Sequence, residues 1–220
     1  MRIVCLSDTH GLHGMLDVPD GDVLVHAGDF TQIGREEEVE DFARFLAALP
    51  HRTKIVVAGN HDFLFEREPG AARQMLAGVA HYLEDSGVEA EGLRFWGSPW
   101  QPEFGGWAFN LERGPALKER WAQVPEGVDV LVTHGPPANV LDRVFNGDCV
   151  GCEDLLSALP RISPKLHVFG HIHEARGAVE RNGTLFVNAS SVRPRAREVL
   201  PPVVVEWGER GPVLEGGATR

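Results

Sequence analysis

One short stretch, residues 55–62, constrains the fold of this chain more than any other. Ile55 to Val57 are apolar and β-branched, which is typical of a strand buried on both faces. Gly59 ends this run, and three residues able to bind a metal or move a proton follow it: Asn60, His61 and Asp62. Open α/β sheets place their ligand sites just past the carboxyl ends of such strands. Taken alone, a polar turn after a core strand is the simpler interpretation.

The same pattern occurs at four further places. Apolar strands are predicted at 2–6, 22–27, 128–132 and 166–169, and Asp or His follows each of them within a few residues. These polar residues are Asp8, His10, Asp29, His134, His171 and His173. Five of the ten histidines in the chain fall just after predicted strands. The repetition favours one shared functional site over five unrelated turns.

The order of predicted elements indicates an α/β fold. Apolar residues at spacings of three and four predict a helix at 35–49. Prolines near their starts favour helices at 69–78 and 114–121, and a further helix is predicted near 152–159. Short strand-like segments predict an antiparallel hairpin within 88–96 and a meander at 178–180, 184–188 and 203–207. Two halves of alternating strand and helix, each closed by antiparallel strands, predict a four-layer sandwich of two stacked mixed β-sheets flanked by helices.

The length and composition are those expected of one domain. We predict a single domain over residues 1–207, because 220 residues with 43% hydrophobic content can build one sizeable core. Residues 208–220 contain four glycines and little to bury, so we expect a flexible tail there.

The charge of the chain limits its partners. The net charge is −11 and there is no Lys/Arg-rich run, which argues against stable nucleic-acid binding. The chain has no basic and apolar leader and no run of eighteen apolar residues. We therefore expect no membrane association and a cytoplasmic location. The sequence does not predict the oligomeric state.

Cys149 and Cys152 have C-x-x-C spacing. A second pair of zinc ligands and a thioredoxin-like setting are both missing. Reduced cysteines in a loop and at a helix start are the favoured interpretation, and a facultative disulfide remains the alternative.

The polar residues after the strands are suited to catalytic metals. Carboxylate, amide and imidazole ligands without thiolate favour Mn, Fe, Zn, Co or Ni over a closed structural zinc site. Two pairs, Asp8 with His10 and His171 with His173, are two residues apart, so each would point to one side of an extended backbone and could chelate one ion.

The number of candidates favours more than one ion. The seven potential ligands are Asp8, His10, Asp29, Asn60, His134, His171 and His173. Two ions that share a bridging carboxylate fit this number better than one ion does. Metals about 3.5 to 4 Å apart support in-line displacement at phosphorus, so phosphoester hydrolysis is the predicted chemistry.

Five motifs carry a family resemblance. In chain order they are Asp8-x-His10, Gly28-Asp29, Gly59-Asn60-His61-Asp62, Thr133-His134-Gly135 and Gly170-His171-x-His173. Together they resemble the ordered motifs of the calcineurin-like metallophosphoesterases. Residues 97–102, 107–110, 134–137 and 150–152 are similar to segments of the small metallophosphoesterase-domain-containing proteins, a group related to class III cyclic nucleotide phosphodiesterases.

The resemblance implies a role for each matching residue. One divalent ion would be held by Asp8, His10, Asp29 and His173. A second would be held by Asp29, Asn60, His134 and His171, so that Asp29 bridges the two. A hydroxide between the ions would attack phosphorus. His61 would stabilise the transition state and protonate the leaving oxygen, with Asp62 orienting its ring. Manganese is the leading metal, and iron, zinc, nickel or cobalt are alternatives.

The resemblance also implies a substrate class. A small phosphodiester or nucleotide is expected, with cyclic nucleotides leading. Residues 28–34 lack the arginine that follows this aspartate in protein Ser/Thr phosphatases, which disfavours a phosphoprotein substrate. A phosphomonoesterase and a dinucleoside polyphosphate hydrolase remain alternatives, because the same metals serve all three reactions. A non-catalytic metal-binding scaffold is less favoured, since no ligand position is lost.

Five further residues could contact the substrate. The aromatic rings of Trp100, Phe104 and Trp107 could flank a nucleobase, although packing of a glycine-rich loop is the simpler interpretation. Arg143 and Arg176 could contact phosphate, but single arginines are more often surface residues.

Overall fold

The computed structural model describes residues 1–193 and 198–216. The strands within these ranges are, in chain order, β1 (Arg2–Leu6), β2 (Val23–His26), β3 (Thr53–Val56), β4 (His81–Tyr82), β5 (Ser86–Ala90), β6 (Leu93–Ser98), β7 (Gln101–Pro102), β8 (Asn110–Leu111), β9 (Val130–Thr133), β10 (Leu166–Phe169), β11 (Gly177–Arg181), β12 (Thr184–Asn188), β13 (Val192–Arg193), β14 (Glu198–Val199), β15 (Val203–Gly208) and β16 (Gly211–Leu214). The α-helices are α1 (Glu36–Ala48), α2 (Phe63–Arg67), α3 (Pro69–Leu76), α4 (Pro115–Ala122) and α5 (Glu153–Ile162).

Most of the strands form two six-stranded mixed sheets. The first sheet has the order β16-β15-β1-β2-β3-β4, and its strands β1 to β4 are parallel to one another. The second sheet has the order β11-β12-β10-β9-β6-β5, in which β12, β10, β9 and β6 are parallel. Antiparallel strands complete each sheet at its edges. The parallel strands therefore deliver their following loops to one edge of each sheet.

The two sheets pack face to face and are covered by helices. In β1, Ile3 and Cys5 point into a core shared with β9 and β10 of the second sheet. Val4 and Leu6 point the opposite way, against α1 and α3. The outer face of the second sheet packs in the same manner against α4 and α5. Because neighbouring residues of a strand face opposite sides, an unbroken apolar strand is what a sheet covered on both faces requires. The predicted four-layer sandwich is confirmed.

The prediction of a flexible tail needs correction for its first part. Residues Gly211–Leu214 form β16, which pairs antiparallel with β15 as an edge strand of the first sheet. Residues 217–220 lie outside the described residues. The division into a domain at 1–207 and a tail at 208–220 therefore cuts through a β-hairpin.

Several short elements were not predicted from the sequence, among them one helix and one strand of the first sheet. The five-residue helix α2 follows Asp62 directly, and the two-residue strand β4 extends the first sheet. Neither is long enough to show a hydrophobic period.

None of the helices in the described part of the chain has the length and apolar character needed to cross a membrane.

Candidate metal centre

The loops that follow β1, β2, β3, β9 and β10 meet at one edge of the two stacked sheets. They bring together the side chains that were predicted to bind metal. Three overlapping groups of Asp and His side chains have ligand atoms within 4.8 Å of one another, and the groups are Asp8 with His10 and His173, His10 with Asp29 and His61, and Asp29 with His134 and His171.

The first group combines ligands from both sheets. Asp8 and His10 follow β1, whereas His173 follows β10. The Nε2 atoms of His10 and His173 are 3.3 Å apart, and His173 Nε2 is 3.6 Å from Asp8 Oδ1. Ligands about 2.1 Å from a metal are separated by roughly 3.0–3.4 Å at octahedral or tetrahedral angles. The spacing of these atoms therefore fits one ion.

Asp29 lies between the groups. Its Oδ2 is 3.4 Å from His134 Nε2 and 3.9 Å from His10 Nε2. Asn60 joins the His134 side, where its Oδ1 is 2.9 Å from His134 Nε2. Asp29 is thus the carboxylate within reach of ligands on both sides.

Backbone carbonyls fix the orientation of the imidazole rings. The Nδ1 atoms of His134 and His173 are 2.9 Å from Ala27 O and 2.5 Å from Val192 O. A carbonyl can only accept, so each Nδ1 carries a proton and Nε2 is the nitrogen that faces the site. Metal-binding histidines in proteins are typically held in this way.

The pKa values of the buried side chains show that the site favours positive charge beside Asp29. Burial alone would raise the pKa of Asp29, but the His134, His10 and His61 rings outweigh it and hold that pKa well below its usual range. Burial opposes protonation of His134, yet the Asp29 carboxylate raises the pKa of His134 to about 9. A proton here balances the charge that a divalent cation would balance. Burial and the neighbouring His134 lower the pKa of His171 to about 3.

The backbone at the site is unusual. Asp8, His10, Asp29 and His171 all have positive φ angles, of 54°, 44°, 56° and 68°. Such conformations are disfavoured for residues with a side chain and cluster at functional sites. The hydrogen bonds of the site hold them in place. For example, both carboxylate oxygens of Asp8 accept from His171 N, at 3.0 and 2.9 Å.

His171 and His173 fall in different groups of potential metal ligands. His171 groups with Asp29 and His134, whereas His173 groups with Asp8 and His10. Residues two apart point to the same side only on an extended backbone. The φ angle of His171 lies in the left-handed region, so the side chains of His171 and His173 diverge.

His61 lies at the mouth of the site. Its Nδ1 is 2.6 Å from Gln32 O, and its Nε2 is 4.0 Å from Asp29 Oδ2. The Trp107 ring covers it, with ring centroids 4.2 Å apart. The Gln32 carbonyl and Trp107, rather than the predicted Asp62, are therefore the groups that orient the His61 ring.

Asp62 instead joins the loops after β2 and β3. It is fully buried and accepts hydrogen bonds from the backbone N–H groups of Asp29, Thr31 and Gly59 and from the Thr31 hydroxyl, at 2.7–3.0 Å. Burial and the charge of Asp29 raise the pKa of Asp62 to about 7, although its hydrogen bonds oppose the rise. Through these bonds it fixes the backbone at Asp29 and Gly59.

Of the five further candidates, two reach the site. Phe104 lies beside His171 with ring centroids 5.1 Å apart, and Trp107 contacts His61 as described. Trp100 is turned away, and its Nε1 donates to Asp85. Arg143 and Arg176 donate to backbone carbonyls, of Gly147 and of Ser190 and Pro201 respectively, and so brace loops.

Sequence reasoning missed the contribution of the loop after β12. Ser190 Oγ lies 2.9 Å from Asp8 Oδ2 and 2.8 Å from Asn188 Oδ1, and its single proton can be donated to either of these two acceptors. The signal was present, since residues 188–191 are another polar segment after an apolar strand. It was overlooked because serine is a weak metal ligand and a common turn residue.

The two cysteines of the C-x-x-C segment are free thiols. Cys149 is exposed, while Cys152 is buried and its sulfur accepts from Leu155 N at the start of α5. The favoured interpretation of a loop and a helix start agrees with this geometry.

Comparison with known sequences identifies relatives. A model of the family described as calcineurin-like phosphoesterase matches residues 1–175. Human metallophosphoesterase domain-containing protein 1 is 44% identical over 229 residues, covering 93% of this chain and 70% of that protein. A UPF0046 protein of Caenorhabditis elegans is 38% identical over 218 residues, covering 93% of this chain and 74% of that protein.

Solved structures share the fold. Phosphopantetheinyl hydrolase from Mycobacterium tuberculosis has a TM-score of 0.60 at 18% identity, covering 88% of this chain and 90% of that chain. An archaeal phosphodiesterase has a TM-score of 0.52 at 15% identity, covering 98% of this chain and 99% of that chain. At these identities the likeness shows the fold alone.

Proposed function

Since the chain belongs to the calcineurin-like phosphoesterase family, we propose that it hydrolyses small phosphodiesters with the help of two divalent ions, and that cyclic nucleotides are its leading substrate class. The observation that carries the proposal is the position of Asp29, which lies within ligand distance of side chains on both sides of the site. Asp8, His10 and His173 would complete one metal site. Asn60, His134 and His171 would complete the other.

The donor set limits the choice of metal. Carboxylate, amide and imidazole donors without sulfur suit Mn, Fe, Zn, Co or Ni, and manganese is the leading proposal. When bound, such ions supply Lewis acidity and lower the pKa of water, which an in-line displacement at phosphorus requires.

The side chain of His61 is placed to move a proton. The Gln32 carbonyl accepts from its Nδ1, so a proton that is to be transferred sits on Nε2, the atom that faces Asp29. Nε2 can donate that proton to the leaving oxygen of a substrate bound at the site. His61 is partly exposed, with 26% of its side chain accessible, so the leaving group can depart toward solvent.

The space beside the site favours a diester over a monoester. A cavity of about 470 Å³ is bounded by His171 and opens next to the candidate ligands. A diester carries a second substituent on phosphorus, which this cavity can accommodate. A monoester has no such group.

The test compares two chromogenic substrates in the presence of manganese. We expect faster hydrolysis of bis-p-nitrophenyl phosphate than of p-nitrophenyl phosphate, and turnover of 2′,3′- or 3′,5′-cyclic AMP. His61→Ala should lower kcat by roughly 10²- to 10⁴-fold while metal analysis still finds two ions per chain. His81→Ala is the matched control, because His81 is exposed on the edge strand β4.

Two results would overturn this proposal. A preference for the monoester would indicate a phosphatase. An absence of turnover with any divalent metal, although two ions are bound, would indicate a non-catalytic scaffold.

A further inference from the structure

A carboxylate at the start of α1 holds the loop that orients His61. Glu38 lies in the first turn of this helix and is partly buried. Its carboxylate accepts hydrogen bonds from the backbone N–H groups of Gln32, Ile33 and Arg35, at 3.0, 3.3 and 2.9 Å. A glutamate that caps a helix from this position needs only the bond to Arg35. The other two bonds reach back into the loop after β2, and helix capping does not account for them.

The peptide group between Gln32 and Ile33 connects Glu38 to His61. Its N–H belongs to Ile33 and donates to Glu38 Oε2, while its C=O belongs to Gln32 and accepts from His61 Nδ1 at 2.6 Å. None of the peptide bonds in the described residues is cis, and the N–H and C=O of a trans peptide point in opposite directions. The carboxylate and the imidazole therefore lie at the two ends of one peptide group.

The charge of Glu38 strengthens the hydrogen bond at the far end of this peptide group. Hydrogen bonds in a chain polarise one another, and a charged acceptor makes such bonds stronger. The Gln32 carbonyl becomes a better acceptor when a carboxylate binds the N–H of the same peptide, which favours a proton on His61 Nδ1. The nitrogen that remains for exchange of a proton with a substrate is Nε2, which faces Asp29.

Other contacts place the loop but leave this N–H to the carboxylate. Gln32 Nε2 donates to His10 O at 2.7 Å and ties the loop to the one after β1. A methyl group on Gly34 would overlap Phe63 N, so the loop also lies directly against the start of α2. Among the described residues, the N–H at the centre of the connection has the carboxylate of α1 as its partner. Removing that carboxylate should thus release this peptide group while the rest of the loop stays in place.

These contacts indicate a role for Glu38 beyond capping α1. We propose that Glu38 is a positioning residue for His61: through the Gln32–Ile33 peptide group it keeps a proton on His61 Nδ1 and so presents Nε2 to the substrate. The proposal rests on the proposed function, in which Nε2 donates a proton to the leaving oxygen. A residue that only capped the helix would change stability without changing which nitrogen of His61 carries the proton.

The first experiment determines which nitrogen of His61 is protonated. Long-range ¹H–¹⁵N correlation spectra distinguish the two neutral tautomers and are recorded in alkaline buffer on the full chain loaded with zinc, a d¹⁰ ion without unpaired electrons. Comparison with His61→Ala identifies the His61 signals. We expect a proton on Nδ1 in the wild type and a shift toward the Nε2 tautomer in Glu38→Gln, because the glutamine amide is uncharged and has only one acceptor oxygen. Glu37→Gln, an exposed position in the same turn, removes the same charge and should keep the wild-type tautomer.

The second experiment measures the consequence for hydrolysis of bis-p-nitrophenyl phosphate. Loss of one hydrogen bond is expected to lower kcat about fivefold in Glu38→Gln, with KM and metal content unchanged. Glu37→Gln should have the kcat of the wild type. In the His61→Ala background, Glu38→Gln should have no further effect on kcat, because Glu38 acts through His61.

Two results would overturn the proposal. One is an unchanged His61 tautomer in folded Glu38→Gln, and the other is a loss of kcat that persists in the His61→Ala background. If Glu38→Gln does not fold, Ile33→Pro is the second variant, because it removes the central N–H and leaves the other bonds of Glu38 in place. The φ angle of Ile33 lies outside the left-handed region, which proline also avoids. Ile33→Pro should show the same tautomer shift, and a wild-type tautomer in this variant would equally overturn the proposal.

The outcome can be separated from that of the proposed function, since the tautomer is measured without substrate. A tautomer shift in Glu38→Gln, together with no diester hydrolysis by the wild type, would support the action of Glu38 on His61 and reject the phosphodiesterase. Diester hydrolysis by the wild type, with the same tautomer and the same kcat in Glu38→Gln, would reject the role of Glu38 and leave the phosphodiesterase standing.

Discussion

At the scale of single residues, the position of Asp29 depends on neighbours that have no side chain. Gly59 packs directly against its carboxylate. A methyl group on Gly59 would overlap Asp29 Oδ1 and also approach Asp29 N and His134 Cε1. The φ angle of Gly59 is not in the left-handed region, so close approach alone explains the need for glycine.

Substituting Gly59 by Ala should therefore weaken metal binding. The added methyl group displaces Asp29, and we expect roughly 10- to 100-fold weaker binding of Mn²⁺ in calorimetric titration, as for other residues that orient metal ligands. Gly70→Ala is the matched control, because a methyl group on Gly70 meets nothing within 4 Å and Ala is the better helix former in α3. Equal affinities of the two variants would contradict this account of Gly59.

Trp107 should act on catalysis through His61. Its ring covers the imidazole with a tilt of 31° and belongs to none of the three groups of potential ligands. An aromatic contact of this kind is worth about 0.5–1.5 kcal/mol, so Trp107→Leu should lower kcat by roughly 2- to 12-fold without changing the metal content. Trp107→Phe should restore part of the loss.

A double variant distinguishes this role from a general structural one. If Trp107 acts by positioning His61, Trp107→Leu should have no further effect on kcat in the His61→Ala background. An additive loss in the double variant would show that Trp107 acts elsewhere.

The limits of sequence reasoning at this scale have a physical reason. Asp8 and Asp29 were recognised because a charged side chain after an apolar strand is conspicuous. The groups that orient His61 and His134 are backbone carbonyls, of Gln32 and Ala27, and every residue has one. Only the folded chain shows which carbonyl meets which ring.

At the scale of elements, buried histidines within the strands carry a dependence on pH. His167 lies in β10, is fully buried, and its Nε2 is 2.8 Å from Thr133 Oγ1. Burial lowers the pKa of His167 to about 3. The folded chain thus keeps His167 neutral, whereas the unfolded chain takes up a proton near the ordinary pKa of about 6.5.

This difference gives the expected direction. Above pH 6.5 His167 is neutral in both states and does not change the free energy of unfolding. As the pH falls from 6.5 toward 3, the unfolded chain binds a proton that the folded chain does not, so the free energy of unfolding decreases progressively. Between pH 7 and pH 5 the loss is about 2 kcal/mol. In urea denaturation of the metal-free chain, the free energy of unfolding of His167→Gln should therefore decrease by about 2 kcal/mol less than that of the wild type between pH 7 and pH 5. The same loss in both proteins would show that His167 does not titrate in this way.

The elements that the sequence predicted are those with a strong local pattern. Strands β1 and β10 were predicted with their observed ends, because nearly all of their residues are buried and each strand has a single polar residue, Arg2 and His167 respectively. Strand β16 was missed because its residues are half exposed and its partner β15 alone holds it. Pairing partners, unlike patterns within one segment, are not visible in a single sequence.

At the scale of the whole molecule, the candidate metal centre joins the two sheets. Asp8 belongs to the first sheet through β1, while the N–H of His171 that it binds follows β10 in the second sheet. Ser7 and Ser190 form a further bridge between the loops after β1 and β12. The shared apolar core below the site supports both sides. Ions bound here would contact ligands from each sheet and oppose their separation.

Metal removal should consequently lower the stability of the entire fold. A ligand at 100 times its dissociation constant stabilises the native state by about 2.7 kcal/mol per site, which corresponds to a rise in Tm of about 5–10 °C per site and about 10–20 °C for two sites in a chain of this size. We expect this difference between manganese-saturated and EDTA-treated protein in thermal denaturation followed by circular dichroism. Asp29→Asn should lose most of the shift, because Asp29 reaches ligands on both sides, whereas Asp20→Asn, an exposed carboxylate, should retain it. A full shift in Asp29→Asn would mean that the stabilising ions bind elsewhere, and a wild type with no shift would show that the site does not couple metal to the joining of the sheets.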